Sequence, residues 1–407
     1  MPVERIETLV IGGGQAGLVM SHRLKQRGCA HLVLERHRIA ERWRSERWDG
    51  LRFQFPNWSV RLPDFPFPHA DPDAFATSRD ILDFITAYAD FVAPPIRCGV
   101  EVTKLQRRLG EPGFVAETSD RPIEAKNIIV ATGPYQRPAI PALLRDDAIF
   151  QVHASHYQSP DRLPSGAVLV VGSGASGAQI AEELSRAGRR VYLSVGRHTR
   201  LPRRYRGRDL IWWLSAMGID QTPVEQRGPS RLLPLITGAY GGYTIDFRRF
   251  AADGVTLLGR VKAAHDGIID LAPDLAESLA NGDAMYASFL DRVDAHIEHH
   301  ALAMPQDPAA RAVLPDPLCL TEPLRRLGIG AAGIGAVIWA TGYDVDFGWI
   351  DVPVLDGHGK PVHRHGITDV PGLYFLGLQW LSKLNSSFLS GVGEDAAALA
   401  HHIAARA

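Results

Sequence analysis

Two glycine-rich turns stand at corresponding places in the 407-residue chain, Gly12-Gly13-Gly14-Gln15-Ala16-Gly17 and Gly172-Ser173-Gly174-Ala175-Ser176-Gly177. Both fit the spacing G-x-G-x-x-G. There the first glycine permits a tight turn, the second lets the backbone approach a pyrophosphate, and the third allows close helix packing. A helix opening at such a turn presents free N–H groups and a positive dipole end to phosphates. One match alone is weak, because glycine is common, so the context has to carry the argument. Residues 6–11 and 167–171 read as β-branched strands before the two turns, and residues 178–187 and a pattern through Leu18, Met20 and Leu24 read as helices after them. Residues 31–34 and 190–195 then read as second strands. Two strand–helix–strand openings predict two dinucleotide-binding units.

The residue that ends each second strand separates the two ligands. Glu35, with Arg36 beside it, supplies a carboxylate that can accept hydrogen bonds from ribose hydroxyls and would repel a 2′-phosphate. The first unit should therefore take FAD or NAD. In the second unit the equivalent stretch is Ser194-Val195-Gly196-Arg197-His198, with no acid, and Arg197 suits a 2′-phosphate. NADPH is favoured there, with NADH as the alternative. Downstream, Arg203, Arg204, Arg206 and Arg208 either close over the phosphate, Arg204 foremost, or form a solvated basic loop.

Further blocks carry a resemblance. Ala131-Thr132-Gly133 and Ala340-Thr341-Gly342-Tyr343 each follow an apolar strand, and Trp43-Arg44 leads through Trp48-Asp49-Gly50-Leu51-Arg52. Residues 372–377 and the run Gly391-Val392-Gly393-Glu394-Asp395-Ala396 close the chain. With the paired glycine turns, these blocks make nearly the whole chain resemble the class B flavoprotein monooxygenases, the group that holds flavin-containing monooxygenases, plant YUCCA-type enzymes and bacterial CzcO-like flavoproteins. The family fingerprint before the second glycine turn is half kept: His153 and Tyr157 hold its His-x-x-x-Tyr part, while the preceding Phe-x-Gly part is shortened. Tyr157-Gln158 also departs from the Trp-Pro or Trp-Asp ending of the Baeyer–Villiger subgroup.

The resemblance implies an α/β fold of two Rossmann-like domains, the FAD domain discontinuous and the NADP domain inserted into it. It implies FAD contacts from Gly12, Gly14, Gln15, Ala16, Gly17, Glu35 and Arg36, and from Trp43, Trp48 and Val102. Ala131, Thr132, Gly133, Ala340, Thr341, Gly342, Gly377 and Gly393 join the cofactor contacts. Gly172, Gly174, Ala175, Ser176, Gly177, Arg197 and Arg204 would hold NADPH. The implied reaction is reduction of FAD by NADPH, addition of O2 at flavin C4a, and oxygenation of a small amine, sulfide, carbonyl or heteroaromatic substrate by the hydroperoxide. Asn57 is the polar residue nearest the family's position beside the flavin, although asparagine after proline is also an ordinary turn residue. The helix beginning near Gly391 would aim N–H groups at flavin N1 and O2.

Spacing sets the expected boundaries at 1–160 for the first part of the FAD domain, 161–327 for the NAD(P)H domain with a helix-rich insertion over 210–303, and 328–407 for the return. Composition constrains the class. Lys plus Arg total 44 against 45 Asp plus Glu, which offers no field for a nucleic-acid backbone or an acidic membrane surface. Cys29, Cys98 and Cys319 form neither a disulfide framework nor a CxxC pair. With no apolar run of membrane length and no signal-peptide pattern, a cytoplasmic protein is expected. A homodimer would be unsurprising. His296, His299, His300, His363 and His365 are read as surface or turn residues without metal, and Ser386-Ser387 as no hydrolase site. Two alternatives stay open: a non-oxygenating pyridine-nucleotide flavin oxidoreductase, and a flavin-binding regulatory protein without turnover.

Overall fold

The computed structural model describes residues 3–144, 149–228 and 234–406. Its first unit is built on the strand Glu4–Ile11, whose last four residues are fully enclosed. Such continuous apolar burial is what a parallel strand covered on both faces requires. His31–Glu35 and Ile123–Val130 pair with it in parallel on either side, and Leu373–Phe375 adds to the far side of Ile123–Val130. Val102–Arg107 and Phe114–Thr118 continue the sheet antiparallel. The helices Gln15–Gln26 and Val392–Ala404 pack against each other on this core. Ser78–Val92 is a third helix, started by a reciprocal Thr77–Asp80 capping box that satisfies two orphan amides.

The second unit is a five-stranded sheet, all parallel, in the order Phe150–His153, Ile334–Trp339, Ala167–Val171, Val191–Ser194 and Thr256–Leu258. This pairing moves both expected boundaries. Phe150–His153 belongs to the second sheet, ahead of the boundary expected after residue 160, and Ile334–Trp339 lies inside that sheet rather than in the return segment. The cause is geometric: Ile334–Trp339 packs between two parallel neighbours, and only Ala340 onward is free to leave. The stretch expected to be helix-rich also holds the strands Thr256–Leu258, Val261–His265 and Ile268–Leu271 beside the long helix Leu275–His299.

The chain crosses between the units twice, and the crossings hold each other. Tyr343–Asp344 pairs antiparallel with Arg137–Pro138, and the Thr341 hydroxyl donates to the Ala139 carbonyl at 2.5 Å. A buried arginine adds a second tie. Arg203 is 1% exposed, pairs with Asp209 at 2.9 Å, and donates from Nη1 to the Gln54 carbonyl of the first unit at 2.7 Å. Removing one partner of a buried ion pair strands the other charge, at a cost of about 3–5 kcal/mol. Arg203→Met should therefore lower unfolding stability by about that amount, read from urea midpoints by circular dichroism.

Candidate active site

The two glycine turns are built alike. Gly12 takes φ +116° and Gly172 φ +104°, backbone that side chains rarely adopt. A Cβ at Gly12 would lie 2.5 Å from the Ala131 carbonyl oxygen, and one at Gly172 would lie 2.5 Å from the Ala340 carbonyl oxygen. Gly17 and Gly177 pack just as tightly on the carbonyls of Gly12 and Gly172. Gly14 and Gly174 differ: nothing lies within 4 Å of a Cβ at either position. The backbone is thus bare at the second glycine of each turn, where a pyrophosphate would approach. Each turn meets the N-terminus of a 12-residue helix, Gln15–Gln26 or Ala175–Arg186, and neither helix has a side-chain cap. Their first amides stay free for an anion.

Both turns open on one cavity of about 1020 Å³ between the units. Gly12, Gly14, Gln15 and Ala16 line it from the first turn, and Gly174, Ala175 and Ser176 from the second. Glu35 stands on its wall, held by the Gly13 amide at 2.6 Å and the His37 amide at 2.9 Å. Arg36, Trp43, Trp48 and Val102 line the same side, with Ala131, Thr132, Gly133 and Gly377. Arg197, Ala340 and Gly342 line the other. Arg197 is exposed, and no ion pair or hydrogen bond to it is found among the described residues.

Other expected residues lie elsewhere. Gly17, Gly172, Gly177 and Thr341 are behind the wall, packing the turns and the crossing. Arg204 points away, toward the Gly241 and Gly242 carbonyls at 3.3 and 3.5 Å. Its neighbours are spoken for too: Arg203 by Asp209, Arg206 by Asp294, and Arg208 stacked over Trp212. The basic loop is therefore structural and does not close over the cavity. Gly393 is also off the wall, because a Cβ there would meet Pro63 at 2.7 Å. Asn57 is the main correction. It is buried on a separate, smaller cavity, its amide donating to the Asp71 carbonyl at 3.0 Å. Its amide nitrogen thus ties the turn, while its Oδ1 is buried without a partner among the described residues.

Several wall residues had no local sequence signal, since distant loops deliver them. Gln54 and Phe55 enter from the proline-rich segment, and Phe388 packs on Phe55 with ring centres 5.0 Å apart. Among the described residues, Gln179 reaches the wall from the helix Ala175–Arg186 with neither amide atom partnered, and Asn385 brings an unpartnered Oδ1. His153, which the fingerprint did mark, sits where the second crossing leaves. Its Nδ1 accepts from the Ser155 amide at 3.1 Å, so Nε2 carries the proton donated to the Gly342 carbonyl at 2.9 Å. Burial pushes its pKa below 6.5, as it does for His198.

Residues 9–216, just over half of the chain, match the family model described as pyridine nucleotide-disulphide oxidoreductase. The chain is 34% identical over 403 residues to a CzcO-like oxidoreductase of Geobacillus kaustophilus, covering 98% of both. It is also 34% identical over 196 residues, 46% of each chain, to an indole-3-pyruvate monooxygenase, YUCCA1, of Arabidopsis thaliana. The chain belongs to the pyridine nucleotide-disulphide oxidoreductase family. The architecture agrees: a flavin-containing monooxygenase from Stenotrophomonas maltophilia superposes with a TM-score of 0.67 at 18% identity, covering 99% of both chains. The protein is thus an oxidoreductase enzyme with two Rossmann-like units. None of its described helices is long and apolar enough to cross a membrane.

The buried histidines make the protein's stability depend on pH. The folded pKa of His153 and of His198 lies below 6.5, so on acidification the unfolded chain takes the proton first. Their contribution is full above pH 6.5 and is lost as the pH falls from there toward the folded values. Urea midpoints should fall between about pH 7 and pH 5, with a shallower slope in His153→Gln.

Proposed function

We propose that the protein is an FAD-dependent monooxygenase that consumes NADPH and O2 to oxygenate a small organic substrate: an amine, a sulfide, a carbonyl or a heteroaromatic compound. The observation that carries this reading is the single cavity onto which both glycine turns open, with bare backbone at Gly14 and Gly174. Two dinucleotides entering from those turns would bring their reactive rings to the same space. When bound, the flavin would accept the nicotinamide hydride and activate oxygen at C4a.

The chain's own part is to bind, orient and exclude water. Glu35 would take the ribose hydroxyls of FAD, its carboxylate fixed by two backbone amides. The helix starting at Gln15 would face the FAD pyrophosphate, and that starting at Ala175 the NADPH pyrophosphate. Arg197, exposed beside the second turn, would meet the 2′-phosphate. Trp43, Phe53 and Phe55 give the cavity an apolar wall that limits water at the reacting centre. Disulfide chemistry is disfavoured, because Cys29, Cys98 and Cys319 all lie off the cavity wall.

Stopped-flow absorbance on FAD-loaded protein tests the proposal. Anaerobic NADPH should bleach the flavin, and mixing with O2 should give a transient near-ultraviolet band before oxidised flavin returns. Direct reoxidation with stoichiometric peroxide would point instead to a reductase or oxidase, and no reduction by NADPH or NADH to a regulatory flavoprotein. In Arg197→Ala the KM for NADPH should rise about 10-fold or more while that for NADH changes little, as expected on losing a charge-assisted hydrogen bond. Equal effects on both nucleotides would remove Arg197 from phosphate recognition.

A further inference from the structure

At one end of the cavity a loop of the second unit meets a loop of the first. They run as an irregular antiparallel pair: the Val224 amide donates to the Ser382 carbonyl at 2.8 Å, Leu384 to Thr222 at 3.1 Å, and Asn385 to Asp220 at 3.3 Å. Pro223 and Lys383 face each other between these bonds. The pairing sets Asp220 and Asn385 side by side on the cavity wall. Each brings an orphaned acceptor. Asn385 is 5% exposed, and among the described residues its Oδ1 has no hydrogen-bond partner; Oδ1 of Asp220 is also buried without one among them. Among the described residues, Asp220 Oδ2 accepts a 3.3 Å contact from its neighbour Gln221 and no other hydrogen bond.

The nearby cation is already engaged. Lys383 pairs with Glu394 and donates to Gln221 Oε1 at 2.8 Å. The loop is also fixed from behind, where the Ser386 hydroxyl takes the amides of Ser382 and Lys383, both at 3.1 Å, and the Ser382 hydroxyl donates to buried Asp395. Aliphatic side chains share the wall: Leu214, whose carbonyl accepts from the Asp220 amide at 3.4 Å, Ile211 on the same helix, and Leu384 next to Asn385. Two residues on, the Ser387 carbonyl accepts from Gln15 of the first glycine turn at 2.9 Å, so this end adjoins the flavin side of the cavity.

Buried acceptors without donors are costly, and a carboxylate facing an apolar wall more so. Their complement is a positively charged N–H donor with an aliphatic body. We propose that Asp220 and Asn385 form a substrate-recognition site for a protonated amine, held apart from the atom that is oxygenated. This inference rests on the cavity being the substrate site of the monooxygenase proposed above. It makes Asp220 a specificity determinant rather than a participant in the chemistry.

The experiment uses FAD-loaded enzyme with NADP+ and two probes that share a thioether, S-methylcysteamine and the neutral methylthioethanol. Binding is read by calorimetry and turnover separately by sulfoxide formation. In Asp220→Asn the Kd for the amine should rise about 10-fold or more, with the alcohol within about twofold, the size expected for one charge-assisted hydrogen bond. Asp220→Glu should keep the preference for the amine. Asn385→Ala should weaken the amine without loss of FAD. Equal binding of the two probes to the wild type, an unchanged amine Kd in Asp220→Asn, or parallel losses for both probes would overturn the inference. So would FAD loss in Asn385→Ala, which would give that amide to the flavin instead. Asp220-dependent amine binding in an enzyme that gives neither sulfoxide nor the transient band after NADPH reduction and O2 mixing would leave the amine site standing and sink the monooxygenase reading.

Discussion

The structure depends on a contact that allows no side chain. In each unit a strand ends, the chain turns at a glycine with positive φ, and the carbonyl of the next strand's exit lies where a Cβ would be: Ala131 against Gly12, Ala340 against Gly172. The hydrogen bonds around the two turns repeat as well. Ala131 donates to Ile11 and Ala340 to Val171, both at 2.8 Å, while Gly12 and Gly172 donate to Leu34 and Ser194 at 2.8 and 3.2 Å. Because parallel strands end together at their carboxyl edge, this contact sets the turn, the free helix N-terminus and the exit of the chain at one place.

That place is also where the units join. Ala131 and Ala340 each begin a crossing, so the contact that shapes each turn also directs the chain toward the other unit. Pairing of Tyr343–Asp344 with Arg137–Pro138 then keeps the two carboxyl edges facing one cavity. His153 seals the seam in the neutral form, donating to the Gly342 carbonyl with its ring edge-on to Tyr343 at 4.9 Å. A neutral ring suits the position, because burial penalises the imidazolium.

Charge inside the molecule follows the same economy. Arg203 is buried with Asp209 and two carbonyls, and Arg200 with Asp246 and Asp283, so those guanidiniums hold loops together. Unpartnered groups occur elsewhere too, at Asn57, Tyr88 and Tyr374 among others, but four of the described residues bring one to the cavity: Arg197 beside one glycine turn, Gln179 one helical turn deeper, Asp220 and Asn385 at the inter-unit loop. A polar group without a partner inside a folded chain costs free energy unless a ligand supplies one. Their placement on one wall marks where ligands are expected.

The sequence by itself determined the local devices. G-x-G-x-x-G after a β-branched strand, Glu35 at the end of the next strand, and the two Ala-Thr-Gly exits are short-range patterns, because turn geometry and strand burial are decided by neighbours in the chain. The family was legible for the same reason. Tertiary structure decided what depends on distant partners. Ile334–Trp339 reads as a strand, but only pairing with Ala167–Val171 assigns it to the second sheet. Arg204 and Arg203 are adjacent arginines in one basic run, yet one faces backbone carbonyls and the other is sealed against Asp209, since burial is set by what packs above them. Asn57 followed a family-like segment but faces a different cavity, whereas Asp220 and Asn385, 165 residues apart, meet because two loops pair across the units. A sequence specifies its turns through contacts a few residues long; a cavity wall is assembled from side chains whose proximity exists only after the sheets have formed.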